Sequence, residues 1–146
     1  MEEFYRKISF NSNTNLYINH NLDLNWHEIK RLINSLASEK DFNLVWWRRN
    51  RKTFLVKLKD KNVYLKKYSP YNAHKWYDKL RNITLGKSSG LKEFEALLLL
   101  EELNIPTVKP ELVIEKKLAP LIKESTVITL EFKGIRVDKI MRSKEY

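Results

Sequence analysis

A lysine and two glutamates are spaced so that opposite charges could meet across a strand and a helix. Lys66 ends a hydrophobic run that begins at Val63, and Glu93 and Glu95 lie early in a later leucine-rich segment. A lysine ammonium is a compact charge on a flexible stem, so it can reach a neighbouring anion. Taken alone, a strand lysine is usually a solvated edge residue. Glu93 could simply place a favourable negative charge near the N-terminus of a helix. Anion binding therefore depends on how the surrounding elements pack.

The leucine-rich segment predicts a helix over residues 88–103, with Ser88 as its cap. Glu93 and Glu95 point about 200° apart on such a helix, so only one of them can face a sheet. Leucines four and seven residues after Glu93 lie on its side of the helix, the side that must be buried. Helical geometry therefore favours Glu93 as the glutamate that faces the sheet, with Glu95 second.

The rest of the chain predicts an α+β fold, in which a sheet of about five antiparallel strands packs on that long helix. β-branched and aromatic runs separated by short polar turns predict a meander before the helix, and two more strands follow it. The predicted strands cover residues 43–47, 53–58, 62–68, 108–115 and 125–132.

Residues 1–41 are predicted to form an extension with one helix, over about residues 26–38. Asn25 can cap this helix, and Glu28 follows at the spacing of a capping box. Other predicted elements are one or two short strands around residues 8–10 and 16–18, a helix from Ser69 to Asn82 and a helix over residues 135–141.

Four short motifs occur in the following order along the chain, and each is a weak signal by itself. They are Leu65-Lys66-Lys67-Tyr68, the helix start from Ser88 to Glu93, Asn104-Ile105-Pro106-Thr107 and Ile128-Thr129-Leu130-Glu131. Together they resemble the lipopolysaccharide core (Kdo/heptose) kinase family, relatives of the RIO-type kinases with a protein-kinase-like fold. The resemblance covers roughly residues 42–141 and rests on the order and spacing of the motifs.

The resemblance implies an N-lobe over residues 42–134, followed at residues 135–146 by the start of the segment after the hinge. Lys66 would grip the α- and β-phosphates of ATP, and Glu93 would hold Lys66 in place. These two are the catalytic candidates.

The same resemblance implies an adenine pocket beside Lys66. Thr129 would lie at its back, and Tyr64, two residues before Lys66, would share the strand face of the lysine and crowd the roof. The backbone of the hinge would meet the adenine edge, through Leu130, Glu131 and Phe132.

The sequence departs from the family pattern in two respects, and the first concerns the residues that carry out phosphoryl transfer. The catalytic aspartate and the magnesium-binding carboxylate belong to a second lobe, and the chain ends twelve residues after Gly134 without any His-x-Asp sequence. The intact enzyme is expected to use ATP and Mg²⁺ to phosphorylate a Kdo or heptose hydroxyl, whereas this chain is expected to be inactive and to bind no cofactor firmly. No metal site is predicted, because the histidines are scattered at His20, His27 and His74.

The turn Arg48-Arg49-Asn50-Arg51-Lys52 stands where many kinases carry glycines over the phosphates. Guanidinium groups could replace the backbone amides that glycines expose, since arginine binds phosphate well. An ordinary solvated hairpin tip has the same composition. The sequence leaves both readings open.

The net charge of +10 attracts phosphates on nucleotides, nucleic acids or anionic lipids, although many lysine-rich proteins bind no polyanion. Stand-alone regulatory and single-stranded nucleic-acid-binding modules are therefore alternatives, the second because Trp46 and Trp47 could stack on bases. Nucleic acid is the less favoured partner, because the charge is spread along the chain.

The absence of cysteine, of a signal peptide and of any long apolar run predicts a cytoplasmic protein. The basic surface would suit peripheral contact with an anionic inner membrane. Bare apolar surface at the hinge and at residues 118–121 would favour self-association.

Overall fold

The protein is described here from a computed structural model that covers residues 4–36, 38–39, 42–48, 51–69, 87–119 and 122–131. Seven strands form one sheet, and two helices pack on it. The strands are β1 Tyr5–Asn11, β2 Thr14–Asn19, β3 Asn43–Arg48, β4 Arg51–Lys57, β5 Asn62–Tyr68, β6 Pro110–Ala119 and β7 Ile122–Leu130, and the helices are α1 Trp26–Ser35 and α2 Ser89–Glu102.

The sheet is wider than the predicted five strands. All pairings are antiparallel, and the order is β1-β2-β6-β7-β5-β4-β3. The two additional strands are the N-terminal hairpin, because β2 pairs with β6 from Thr14 opposite Lys116 to Ile18 opposite Leu112. α2 has 14 residues, which is an ordinary rather than a long helix.

Each helix covers one face of the sheet, because successive side chains of a strand point to opposite faces. We name the two sides the α1 face and the α2 face. Buried strand residues that pack with α1 include Leu16, Ile18, Val63, Leu65, Leu112, Ile114 and Ile128. Buried strand residues that pack with α2 are Tyr5, Tyr17, Val113 and Val127. The alternation of side chains along the strands therefore produces two hydrophobic cores, one on each face of the sheet.

The predicted helix starts are confirmed by their caps. The Asn25 side chain accepts the N–H of Glu28 at 2.8 Å, and Glu28 accepts the N–H of Asn25 at 3.0 Å, which completes the capping box. Ser88 accepts the N–H of Leu91 at 3.3 Å and caps α2. The predicted helices over residues 69–82 and 135–141, and Phe132, lie outside the described residues, apart from Ser69.

The extension is tied to β6 by a buried carboxylate. Glu111 is fully buried, and its Oε1 accepts the backbone N–H groups of Asp23 and Leu24, each at 2.9 Å. Burial raises the pKa of Glu111, and the two N–H donors and the Lys109 ammonium oppose that increase. The segment that leads into α1 is thereby fixed against β6.

α2 approaches β7 at Gly90, closer than any side chain would permit. A Cβ at this position would lie 2.8 Å from the Ser125 Cβ and 3.2 Å from a methyl group of Val127. The Gly90 N–H donates to the Ser125 hydroxyl at 2.9 Å. The glycine therefore sets the distance between the helix and the sheet.

We expect Gly90→Ala to destabilise the fold by about 1–3 kcal/mol, because the added methyl group must push α2 away from β7. Helix propensity alone would give the opposite sign, a gain of about 1 kcal/mol. Urea unfolding measures the difference. The exposed α2 residue Lys92 supplies the control, since Lys92→Ala should change stability by no more than about 0.5 kcal/mol. A Gly90→Ala protein more stable than the parent would contradict the close contact.

Within the described residues, neither helix has the length and apolar character needed to cross a membrane.

Candidate functional site

The α2 face of β5 brings the charged candidates together. Val63 and Leu65 belong to the core under α1, so Tyr64 and Lys66 alternate to the other face. Lys66 lies between Thr53 of β4 and Val127 of β7 in the strand register. The lysine therefore projects from a central strand rather than from an edge.

Lys66 and Glu93 form an ion pair between β5 and α2. The Lys66 Nζ donates to the Glu93 Oε1 at 2.5 Å, and the two side chains remain 32% and 26% exposed. An ion pair this accessible contributes little to stability, typically about 0–1 kcal/mol. Its main effect is positional, because it holds the ammonium over the α2 face while one side of it still meets solvent.

The second oxygen of Glu93 is bound by Tyr68, the last residue of the Leu65-Lys66-Lys67-Tyr68 motif, a contact that the motif does not predict. The Tyr68 hydroxyl donates to the Glu93 Oε2 at 2.5 Å. Burial, followed by the hydrogen bond to Glu93 and its charge, raises the pKa of Tyr68 to about 12, against the opposing effect of Arg51. The available signal was spacing, since residues 66 and 68 share one face of a strand. Both carboxylate oxygens of Glu93 are thus fixed.

Glu95, the second choice, points elsewhere. Its Oε1 accepts the Tyr5 hydroxyl at 2.9 Å, and its Oε2 accepts the Lys87 ammonium at 2.8 Å. Glu95 therefore links α2 to β1 and to Lys87, the residue before the N-cap Ser88. Glu93 is therefore the partner of Lys66, but both glutamates contact the sheet, so the expectation that only one of them could face it was wrong.

Tyr64 and Thr129 are register partners on the α2 face, one two-residue step from Lys66. Both are half-buried. The adenine-pocket candidates that the structure describes therefore adjoin the ion pair, in the order that the resemblance implied.

The two hinge candidates that the structure describes, Leu130 and Glu131, use their backbone N–H groups for hydrogen bonds within the protein. The Leu130 N–H donates to the Lys109 carbonyl and the Glu131 N–H to the Asn62 carbonyl, each at 3.0 Å. The Glu131 side chain also accepts the Asn62 amide at 2.7 Å. An adenine edge would have to meet carbonyl groups of this segment, or Phe132.

Arg51 and Trp46 complete the α2 face at the end far from the hinge. Arg51 lies opposite Tyr68 in the register of β4 and β5. Its guanidinium carbon is 4.6 Å from the centre of the Trp46 ring and 5.9 Å from that of Tyr68. The basic composition of the turn hinted at Arg51, but its stacking depends on a pairing between strands that composition does not show.

Metal binding has no support in the described part of the chain. It contains no group of three or more His, Asp or Glu side chains that could hold an ion.

Neither a known protein family nor a curated protein matches this sequence. A solved structure of WaaP in complex with acyl carrier protein matches the fold with a TM-score of 0.55 and 13% sequence identity. The match covers 88% of this chain and 45% of the chain matched, so the likeness extends over less than half of that protein. At this identity the comparison shows a shared fold.

The two shifted tyrosines give a test of the packing. Burial, with Glu115 as the next cause, also raises the pKa of Tyr17 to about 12. Ultraviolet titration of tyrosinate should therefore show late ionisations that include those of Tyr17 and Tyr68, and Tyr68→Phe should remove one of these two. Unfolded tyrosine ionises near pH 10, so the contribution of Tyr68 to stability should be complete below pH 10 and decline as the pH rises towards 12. A variant that keeps both late ionisations would contradict the contact with Glu93.

Proposed function

We propose that this chain is the nucleotide-binding N-lobe of a kinase-type phosphotransferase that acts on a lipopolysaccharide core sugar. The observation that carries the proposal is the ion pair of Lys66 with Glu93 on the α2 face. The order of the four sequence motifs and the fold shared with WaaP support the same conclusion.

The proposed role of Lys66 is to bind the phosphates of ATP. Glu93 and Tyr68 keep its ammonium in place, and the exposed third of its side chain is open to a ligand. Glu93 is therefore a positioning residue. Tyr64 and Thr129 would flank the adenine, and the carbonyl groups of the hinge would meet its edge.

Phosphoryl transfer requires more than this lobe supplies. The aspartate that accepts the proton of the sugar hydroxyl and the carboxylates that hold Mg²⁺ would come from a second lobe. ATP and Mg²⁺ are thus the proposed cofactors of the intact enzyme, and a Kdo or heptose hydroxyl is the proposed acceptor. By itself, the 146-residue chain is expected to bind nucleotide without transferring phosphate.

Nucleotide titration of the Lys66→Gln variant tests the proposal. Its affinity for ATP should fall roughly tenfold or more, because a hydrogen bond to a charged group is worth about 1.5–3 kcal/mol. The measurement is isothermal titration calorimetry of the full chain.

Lys67→Gln is the matched control. Lys67 is the next residue of β5, but its ammonium turns away from Lys66 to pair with Glu39 at 2.9 Å and with Glu124 at 3.5 Å. Its replacement removes the same charge and should change ATP affinity by less than about twofold, as expected for an ion pair that touches no ligand. Equal losses in both variants would show that ATP senses only the overall charge, and would refute the proposed site.

A second candidate is binding of single-stranded nucleic acid. The observation in its favour is the edge strand β3, where Trp46 is 40% and Trp47 is 53% exposed beside a basic turn. Aromatic rings next to cations can stack on bases of any sequence.

Titration with oligo-dT separates the two candidates. A nucleic-acid site would bind tightly in low salt, and its affinity would fall with a log–log slope of about −0.7 for each phosphate contacted. We expect instead that oligo-dT binds only weakly at about 0.15 M salt and leaves ATP binding unchanged. Tryptophan fluorescence reports both. Tight oligo-dT binding that Trp46→Ala abolishes would favour the second candidate.

A further inference from the structure

Arg51 differs from three neighbouring lysines of β4 and β5 in how its charge is held. Lys52, Lys66 and Lys67 each pair with a described carboxylate. Among the described residues, no carboxylate forms an ion pair with Arg51. Its guanidinium lies over the Trp46 ring, 4.6 Å from the ring centre, and beside Tyr68, whose hydroxyl it hydrogen-bonds. Stacking orients a guanidinium but leaves its charge available to an anion.

The fork of N–H donors around a stacked guanidinium suits a phosphate. The donors lie in the plane of the group, and they match two oxygens of one phosphate at a time. Arg51 is also half-buried, so less water screens its charge than at a fully exposed site. The observations therefore indicate an oxyanion ligand.

The position of Arg51 indicates which phosphate it would meet. Along the α2 face, three register rows follow one another away from the hinge: Tyr64 with Thr129, then Lys66 with Val127, then Tyr68 with Arg51 on its other side. Rows two residues apart on a strand are separated by about 6.6 Å. Arg51 and Lys66 are diagonal neighbours, with Cα atoms about 7–8 Å apart. A nucleotide with its base at the first row and its inner phosphates at Lys66 would direct its outermost phosphate towards Arg51.

We propose that Arg51 binds the terminal phosphate of the nucleotide and thereby makes this lobe prefer a nucleoside triphosphate to a diphosphate. The proposal rests on the nucleotide-binding function proposed above. A stacked arginine at the start of β4 does the work that backbone amides do in a glycine-containing loop. Trp46 and Tyr68 are positioning residues for its guanidinium.

The test compares ATP with ADP on the full chain by calorimetry under one buffer condition. Arg51→Gln should lower the affinity for ATP about tenfold and that for ADP by less than about twofold, so that the preference for ATP disappears. Arg51→Lys keeps the charge but lacks the planar fork, and should lose about half of that preference on a logarithmic scale. If Arg51→Gln fails to fold, as judged by its thermal transition, Arg51→Lys carries the comparison.

Lys52→Gln is the matched control, because it removes the same charge from the next residue of β4, which contacts Glu39 instead of the α2 face. It should leave the preference for ATP unchanged. Equal losses of ATP and ADP affinity in Arg51→Gln, or no loss of either, would overturn the assignment of Arg51 while the function stands, provided that Lys66→Gln still weakens both nucleotides. A parent protein that binds neither nucleotide would overturn the function as well.

Discussion

The contact between Gly90 and β7 is the constraint on which the site depends. With no side chain between them, the backbone of α2 lies against Ser125 and Val127. Glu93 follows Gly90 by nearly one helical turn, on the side that faces the sheet. The side chain of Lys66 is flexible, whereas the helix that carries Glu93 is rigid. The packing of the helix on β7 at Gly90 therefore determines whether the Lys66 ammonium can reach the Glu93 carboxylate.

Around this contact, one carboxylate joins groups from three elements. Glu93 accepts hydrogen bonds from Lys66 and Tyr68, and Arg51 lies near the ring of Tyr68. The Lys66 ammonium and the Arg51 guanidinium are therefore held close to the Glu93 carboxylate, and both side chains are only partly exposed. Partly buried charges are screened less by salt than fully exposed ones.

Local patterns predicted the parts of the fold that depend on neighbouring residues. The caps at Asn25 and Ser88 were confirmed, and Lys66 pairs with Glu93 rather than Glu95, although both glutamates contact the sheet. The sheet was underestimated because β2 joins β6, a pairing between residues about a hundred positions apart that leaves no local trace. The sequence placed Tyr68 in a motif and Arg51 in the basic turn, but their contacts depend on cross-strand register, which no local pattern shows. Of the three hinge candidates, Leu130 and Glu131 use their N–H groups within the protein, through contacts with Lys109 and Asn62 that are distant in the sequence.

The alternation of β5 has a consequence for how this chain can vary in length. Lys66 and Lys67 are neighbours that serve opposite sides of one strand, with Glu93 on one side and Glu39 and Glu124 on the other. Inserting or deleting one residue inside β5, between Leu65 and Lys66, would reverse the faces of Lys66 and Lys67 relative to Val63 and Leu65. The strand therefore has a fixed parity between its core residues and its charged residues, whereas the turn before it can change in length without moving either pair.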